Sequence, residues 1–320
     1  MSMFSGTYLE AINRALKDAM AEDARVVCLG EDIGAYGGAF QATAGLWEAH
    51  GEGRVLDTPI SEQAIAGVAI GLALQGRRPV AEFQFMDFSL LASDLICNFA
   101  AKARWRWGAS VPVVFRGPVG AGGSGGPFHT QCVETHFLGT PGLKVVAPGT
   151  VADAYALLRA SLAQDDPVLF LEHKHLYRRL KGQWDAAPTA KLGEAALRRE
   201  GTSAAIVTYG ALQHAALEAT EGMDVAVLDL RTLWPLDQAA LEALAKRTHR
   251  LLVLTEPSGS FGPGAELAAR IQESCFAWLD APVKRLASLD TPCPASPVLE
   301  AAWLPSPVAI RRAVDDLLAW

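Results

Sequence analysis

Short runs of apolar, often β-branched residues alternate with helical segments along most of this 320-residue chain. In the first half, the predicted strands are Val26–Leu29, Val80–Phe83, Val111–Phe115, Lys144–Ala147 and Val168–Leu171. The predicted helices around them are Thr7–Met20, Glu62–Gln75, Leu90–Arg106 and Val151–Ala163. Strands that alternate with helices usually pair side by side in parallel. The predicted fold class is therefore α/β, built on a parallel sheet.

The alternation weakens between Tyr177 and Gly201, where proline, glycine and scattered charges interrupt it, and then resumes. The strands predicted beyond this stretch are Ser203–Thr208, Val225–Asp229, Leu251–Thr255 and Val283–Ala287. The helices predicted there are Ala211–Ala219, Leu236–Ala245 and Gly264–Cys275. We therefore predict two domains, one of residues 1–188 and a smaller α/β domain of residues 189–320.

Composition limits the partners that such a chain can have. The net charge of −7 argues against nucleic acids and acidic membrane surfaces. The longest apolar run, between Glu62 and Arg77, is shorter than the roughly 20 residues that span a bilayer. Five cysteines, odd in number and without a CxxC pair, are typical of a reducing compartment. We expect a cytoplasmic protein, without a targeting segment, that binds neither nucleic acid nor a membrane.

One carboxylate, Glu62, stands at the start of the segment DTPISEQAIAGVAIGLALQG (57–76), whose helix is otherwise uncharged. Because this helix is apolar on every face, it is predicted to be buried all round, with Ser61 able to cap it. An acid that enters a buried helix is costly to desolvate unless something there needs it. The alternative is an ordinary first-turn acid that complements the helix dipole in solvent. The local pattern leaves both interpretations open.

The segment AEFQFMDF (81–88) continues from a predicted strand toward the edge of the sheet where ligands usually bind. Gln84 can donate or accept a hydrogen bond there, and Phe88 offers an aromatic face to a flat ring. Core packing is the alternative role for both residues. The pair is therefore a candidate binding site that geometry alone does not decide.

A glycine-rich loop, Gly120–Gly126, precedes His129. It contains a GxGxxG pattern, but proline follows at once and no acid stands at the expected spacing, which disfavours a dinucleotide site. The loop remains able to approach a ligand through its backbone. His129 could move protons near neutral pH or be an ordinary surface histidine. His173 and His175 are predicted to have structural roles.

Several segments, taken together, resemble one known family. They are GEDIGAYGGAF (30–40), DTPISEQAIAGVAIGLALQG, PVAEFQF (79–85), FHTQ (128–131), PGLKVVAP (141–148), DDPVLFLEHKHLYR (165–178) and LDLRTLWPLD (228–237). The chain is similar over nearly its whole length to the beta subunit of the decarboxylating component of 2-oxo acid dehydrogenase complexes, which belongs to the transketolase superfamily. The resemblance implies a pyrimidine-binding domain followed by a transketolase C-terminal domain. It also implies thiamine diphosphate as cofactor, oxidative decarboxylation of a 2-oxo acid, and acyl transfer to lipoamide.

The resemblance assigns roles to individual residues. Glu62 matches the glutamate that hydrogen-bonds the aminopyrimidine ring of the cofactor and promotes its reactive tautomer. Phe88 matches the aromatic residue that packs on this ring, and Gln84 falls at a polar position close to it. His129, in HTQ where the family has HSQ, matches the histidine associated with acyl transfer. These residues are the predicted catalytic and cofactor-binding set.

The resemblance also implies partners and ions. The chain has no plausible GDG…N motif for magnesium and diphosphate, which in the family lies on a separate alpha subunit. An α2β2 heterotetramer is therefore expected, with a lipoyl acyltransferase core bound by the C-terminal domain. Some relatives hold a potassium ion, and Gln164 stands where those relatives carry aspartate. The matching positions here are Val113, Ser161, Leu162, Gln164 and Asp166.

The substrate is assigned from smaller similarities. FRGPVGA (115–121) and MDFS (86–89) resemble pyruvate-type beta subunits, whereas EHKHLY (172–177) is shared with acetoin-type ones. Phe88 differs from the tyrosine of the branched-chain type. Pyruvate or a related 2-oxo acid is the predicted substrate, with acetoin and branched-chain 2-oxo acids as alternatives. A scaffold subunit without catalytic function is the non-enzymatic alternative.

Overall fold

The computed structural model describes residues 3–186 and 190–320, so the predicted domain boundary between residues 188 and 189 lies outside the described residues. The elements of the first stretch are β1 (Met3–Thr7), α1 (Tyr8–Glu22), β2 (Val26–Gly30), α2 (Leu46–His50), β3 (Val55–Asp57), α3 (Glu62–Leu74), β4 (Arg78–Glu82), a 3-10 segment (Met86–Ala92), a π-helical segment (Leu95–Ala100), α4 (Ala103–Trp107), β5 (Val114–Val119), α5 (Glu134–Phe137), β6 (Lys144–Val146), α6 (Val151–Leu162), β7 (Val168–His173), α7 (Leu176–Arg179) and β8 (Lys181–Asp185). The elements of the second stretch are β9 (Ala196–Arg199), β10 (Ala204–Thr208), α8 (Leu212–Ala219), β11 (Val225–Asp229), β12 (Thr232–Trp234), α9 (Gln238–Thr248), β13 (Leu251–Ser258), α10 (Pro263–Cys275), a 3-10 segment (Phe276–Trp278), β14 (Lys284–Ser288), α11 (Pro297–Trp303) and α12 (Pro307–Leu318). No helix among these residues is both long and apolar enough to cross a membrane.

The larger sheet has seven strands in the order β12-β6-β7-β5-β4-β2-β3. All neighbours pair in parallel except β12, which runs antiparallel to β6. The predicted α/β class with a parallel sheet is confirmed. The edge strand β12 comes from the second stretch of the chain, so the second domain completes the sheet of the first. Three residues beside a proline carry too little pattern to predict that pairing.

The smaller sheet has five strands in the order β14-β13-β10-β11-β9, with β9 antiparallel at one edge and the rest parallel. Helices α8 and α12 pack together beside this sheet, and α9 and α10 also pack against each other. Leu143 and Val145 of the first domain share one core cluster with Leu230 and Leu233 of the second. The two domains are therefore joined by apolar packing as well as by β12.

The helix predicted over Leu90–Arg106 is wrong as a single element. The chain forms a 3-10 segment, a π-helical segment and then the short helix α4 over this region. Within the 3-10 segment, the Ser89 hydroxyl donates a hydrogen bond to the Met86 carbonyl at 2.6 Å. Such local side-chain bonds compete with regular helix bonds. The 3-10 segment begins directly after Phe85, and both belong to the region of the site described below.

Helix α3 is not buried all round. Ile65, Ala66 and Ile70 face the core, but the side chains of Val68 and Leu74 are 50% and 46% exposed. The helix contacts β4 and the 3-10 segment on one side, and nothing in the described chain covers the other. The Ser61 side chain makes no capping hydrogen bond either. An apolar face on an uncovered helix is a surface that a partner protein can bury.

Candidate active site

Glu62 begins α3 at the edge of the larger sheet and is only 8% exposed, so it is not a solvated first-turn acid. No residue that the structure describes donates a hydrogen bond to its carboxylate. The neighbouring Glu31 is also buried, and its pKa is raised by burial and then by the charges of Glu62 and Asp32. Glu62 is therefore a mostly buried residue whose carboxylate has no protein donor and lies next to a second acid. A bound ligand can supply the hydrogen bond or proton that the described chain does not.

Gln84 lies close to the same group of acids. Its side-chain nitrogen donates a hydrogen bond to Oδ2 of Asp32, the residue after Glu31, at 3.4 Å. Asp32 follows β2 and has a left-handed backbone (φ 56°). Gln84 follows β4, which is the neighbour of β2 in the sheet. Gln84 therefore lies where its position after a strand predicts it, at a sheet edge that carries polar groups.

His129 and Phe88 are in contact. The His129 ring lies 5.5 Å from the Phe88 ring and 4.7 Å from the Phe85 ring, nearly perpendicular to both. Phe40 in turn packs edge-on against Phe85, with ring centroids 5.4 Å apart. The structure therefore places His129 in an aromatic corner, and it is not an unconstrained surface histidine. Sequence reasoning missed Phe40 and Phe85, although both lie in segments that carry the family resemblance.

Asp87 lies beneath this corner. It is buried, and its Oδ1 accepts a hydrogen bond from the Gln131 backbone at 2.9 Å, whereas Oδ2 has no partner among the described residues. Burial raises the pKa of Asp87, against the opposing charges of Lys174 and His129. Asp87 was also missed, although a lone acid between two phenylalanines is a signal that could have been used.

A buried cluster of ion pairs joins the neighbouring strands β4, β5 and β7. The Arg116 guanidinium binds the carboxylates of Glu82 and Glu172, and the Tyr177 hydroxyl donates to Glu172 at 2.6 Å. Burial opposes the charge on Arg116, but the two carboxylates raise its pKa well above the usual value. These residues come from β4, β5, β7 and α7 and fix the floor of the site. The signal in the sequence was a charged residue within or directly after each of three apolar runs.

The glycine-rich loop 120–126 is neither followed by a helix nor open to a nucleotide. Backbone N–H groups of three of its residues donate to Glu256 and Glu300, two buried acids of the second domain. An open groove of about 370 Å³ lies between this loop and the aromatic corner. Its lining includes Phe40, Phe85, Gly122, His129, Lys174, His175, Tyr177, Arg178 and Arg179. The groove has the size of a site for a small ligand.

The positions predicted for potassium are already engaged by protein cations. Lys144 Nζ lies 2.7 Å from Gln164 Oε1 and 3.6 Å from Asp166 Oδ2. The Leu162 carbonyl accepts a hydrogen bond from Arg78 at 3.0 Å. The other contacts there are Gln164 N to the Ser161 carbonyl, Val168 N to the Val113 carbonyl, and the pair of Arg104 with Asp166. Protein cations thus bind the oxygens of Leu162, Gln164 and Asp166, and backbone amides bind those of Ser161 and Val113. With three of its five positions holding protein cations, this set does not fit a potassium ion as it stands. No group of three or more His, Cys, Asp or Glu residues within the described parts of the chain could hold a metal ion.

Comparison with known proteins agrees with this architecture. Residues 5–179 match the family "Transketolase, pyrimidine binding domain", and residues 193–310 match "Transketolase, C-terminal domain". The predicted boundary between residues 188 and 189 falls between the two matches and stays a prediction. A solved structure titled "Split gene transketolase, inactive beta4 tetramer" is similar with a TM-score of 0.80 over 98% of each chain. At 22% identity, that likeness shows the fold alone.

Curated relatives match over nearly the whole chain. It is 45% identical to the 2-oxoisovalerate dehydrogenase subunit beta of Bacillus subtilis (strain 168), over 99% of each chain. It is 44% identical to the 3-methyl-2-oxobutanoate dehydrogenase subunit beta of Mycobacterium tuberculosis, over 98% of this chain and 92% of that one. It is 40% identical to the pyruvate dehydrogenase E1 component subunit beta-2, mitochondrial, of Oryza sativa subsp. japonica, over 98% of this chain and 84% of that one.

Proposed function

Because this chain belongs to the family of 2-oxo acid dehydrogenase beta subunits, we propose that it forms the pyrimidine-binding half of a thiamine diphosphate site. The whole enzyme would decarboxylate a 2-oxo acid and transfer the acyl group to lipoamide. The observation that carries the proposal is Glu62 itself, a residue only 8% exposed whose carboxylate receives no hydrogen bond from any described residue.

The chemistry of Glu62, Gln84 and Phe88 suits the pyrimidine ring of this cofactor. Glu62 would share a proton with a ring nitrogen, which offsets the repulsion between its charge and that of Glu31. Phe88 would pack on the ring face and Gln84 would hydrogen-bond its polar edge. Thiamine diphosphate, when bound, supplies the electron sink for decarboxylation.

We assign His129 to proton transfer and acyl transfer. It lines the groove of about 370 Å³ and is held between Phe85 and Phe88, so its ring is oriented before any ligand binds. A histidine with a fixed orientation can give or take a proton near neutral pH. The two assignments give Glu62 and His129 separate tasks, cofactor activation and transfer chemistry.

The proposal includes an alpha subunit that brings magnesium and the diphosphate site, in an α2β2 heterotetramer. What supports it is the apolar surface beside Glu62, where Ile60 is 83% exposed, Leu91 is 65% exposed and one face of α3 is uncovered. The relatives are themselves named as beta subunits. We also propose docking to a lipoyl acyltransferase core and a cytoplasmic location, in keeping with five free cysteines.

The proposed substrate is pyruvate or a related 2-oxo acid. A branched-chain 2-oxo acid is the second candidate, because two relatives named for such substrates reach 45% and 44% identity against 40% for a pyruvate-type one. Against it stands Phe88, where the branched-chain type carries tyrosine.

The test is co-expression with the alpha partner, followed by measurement of carbon dioxide release from pyruvate, 3-methyl-2-oxobutanoate and acetoin. We expect turnover of a 2-oxo acid by the pair and none by the beta chain alone. The compound that the pair decarboxylates fastest is identified as the substrate. Decarboxylation by the isolated beta chain would overturn the split-site proposal, and a pair that acts on no 2-oxo acid would overturn the function.

A further inference from the structure

We infer that Glu300, assisted by Glu256, is a positioning residue that holds the glycine-rich loop 120–126 and thereby orients His129. The C-terminal domain would then set the geometry of the transfer histidine, in addition to any docking role. This inference rests on the proposed function of His129, and its test separates the two.

Glu300 binds the loop through backbone donors. Its carboxylate accepts hydrogen bonds from Gly122 N at 2.9 Å and from Ser124 N at 3.0 Å, and the Ser124 hydroxyl lies 3.4 Å away. Glu300 belongs to α11 and is buried, so these bonds are shielded from water. Hydrogen bonds to a buried carboxylate are among the stronger ones in proteins. Two residues of the loop, Gly122 and Ser124, are thus bound to one side chain of the other domain.

Glu256 binds the start of the loop. Its Oε1 accepts a hydrogen bond from Ala121 N at 2.6 Å, and its Oε2 lies 2.7 Å from His173 Nε2. Burial opposes ionisation, but the charge and hydrogen bond of His173, the Ala121 N–H and Lys174 together lower the pKa of Glu256 to about 2. The carboxylate therefore stays charged at neutral pH. The structural role predicted for His173 stays a prediction, and this contact with Glu256 supports it.

The loop carbonyls are held from the side of the first domain. Lys174 donates to the Gly120 carbonyl, and His175 Nδ1 lies 3.0 Å from the Gly122 carbonyl. Gly120 and Gly122 have φ values of 81° and 91°, and a Cβ on Gly120 would lie 2.2 Å from the His173 ring. Only glycine permits this close approach with this backbone. Gly120 and Gly122 are therefore required by their contacts and backbone conformation, and glycine at these positions does not indicate a loose loop.

The held loop leads directly to His129. Its last residue, Gly126, accepts hydrogen bonds at its carbonyl from His129 N at 3.3 Å and from the Thr130 hydroxyl. A Cβ on Gly125 would lie only 3.1 Å from the His129 side chain. A shift of the loop would therefore move the His129 ring away from Phe85 and Phe88. This chain of contacts connects an acid of α11 to a histidine 171 positions earlier in the sequence.

The test uses the enzyme assembled with its alpha partner and the variant Glu300→Gln, which keeps the shape of the side chain but loses the charge. The matched control is Glu242→Gln, an acid on the surface of α9 that pairs only with its own helix. Two rates are measured, decarboxylation with an artificial electron acceptor and acylation of a lipoyl domain. We expect Glu300→Gln to lower the maximal acylation rate about tenfold, the order of one hydrogen bond to a charged group, with decarboxylation changed less than about twofold. The control should change neither rate.

Equal rates of acylation for Glu300→Gln and the unmodified enzyme would overturn the inference, as would equal losses in both reactions, which indicate a general structural role. A second measurement needs no variant. Hydrogen exchange at the amides of Ala121, Gly122 and Ser124 should be slow in the unmodified enzyme because Glu256 and Glu300 bind these amides. Exchange at these amides as fast as in a free peptide would also overturn the inference. Failure of the proposed function looks different, because the unmodified pair itself would then decarboxylate no 2-oxo acid.

Discussion

Glu62 and Glu300 are two acids with almost the same burial, at 8% and 5% exposure, in opposite situations. Glu300 accepts hydrogen bonds from two loop residues of the other domain. Glu62 accepts none from the described residues and lies beside Glu31. Burial alone therefore does not distinguish a structural acid from a functional one. The difference is in the donors, and an acid that lacks them is available to a ligand from outside the chain.

Of these two acids, Glu300 has the donors, and its loss is expected to have the larger effect on stability. Replacing Glu300 by Ala leaves the N–H groups of Gly122 and Ser124 without an acceptor, which should cost about 3 kcal/mol. The thermal unfolding midpoint would fall accordingly. Glu242→Ala, on the solvent side of α9, should stay within about 0.5 kcal/mol of the unmodified chain. Equal midpoints for the two variants would remove the contrast on which the comparison depends.

Glu134 is an intermediate case and gives a pH test. Its Oε1 accepts a hydrogen bond from the Tyr209 hydroxyl at 2.8 Å, whereas its buried Oε2 has no partner among the described residues. Burial raises the pKa of Glu134 from 4.5 to about 7. The folded chain therefore binds this proton more tightly than the unfolded chain, and the stabilisation is lost as the pH rises from 4.5 to about 7.

The effect amounts to about 3 kcal/mol at most over that range. Glu134→Gln should flatten the dependence of the unfolding free energy on pH between those limits, as measured by urea titrations at several pH values. An unchanged slope would show that Glu134 ionises normally in the folded chain.

Replacing Glu62 by Gln should not lower the free energy of unfolding, in contrast to replacing Glu300. A neutral amide removes a like charge beside Glu31, so the cofactor-free protein should be as stable as before or up to about 1 kcal/mol more stable. Thermal unfolding without cofactor measures this, with Glu48→Gln, an exposed acid of α2, as the control. A clear loss of stability would mean that Glu62 already has a structural partner.

The smallest effect on thermal stability is expected from adding potassium ions. Because Lys144, Arg78 and Arg104 engage the oxygens at the predicted ion site, exchanging sodium chloride for potassium chloride at constant ionic strength should leave the unfolding midpoint unchanged. Lithium chloride at the same strength serves as the control for general salt effects. A specific rise with potassium would show that the ion displaces Lys144.

Local patterns predicted most of the fold. The main strands and helices follow from hydrophobic periodicity. Glu62 was marked by its place at the start of an apolar helix, Gln84 by its place after a strand, and His129 by the glycine-rich loop before it. The acid Glu300 was not predicted, because it meets Gly122 across 178 positions, and nothing near either residue signals the other. The pairing of β12 with β6 was not predicted for the same reason, because the two strands are distant in the sequence. Helix α3 was predicted to be buried all round because it is apolar on every face, whereas the described chain covers only one of those faces.

The central claim is that Glu62 serves the cofactor and not the fold. The direct test compares carbon dioxide release from the preferred 2-oxo acid by the unmodified alpha–beta pair and by the pair that carries Glu62→Gln. We predict a loss of about a hundredfold or more, the scale of a lost acid–base group, with assembly and thermal unfolding midpoint retained. A Glu62→Gln pair that decarboxylates at the full rate would contradict the claim.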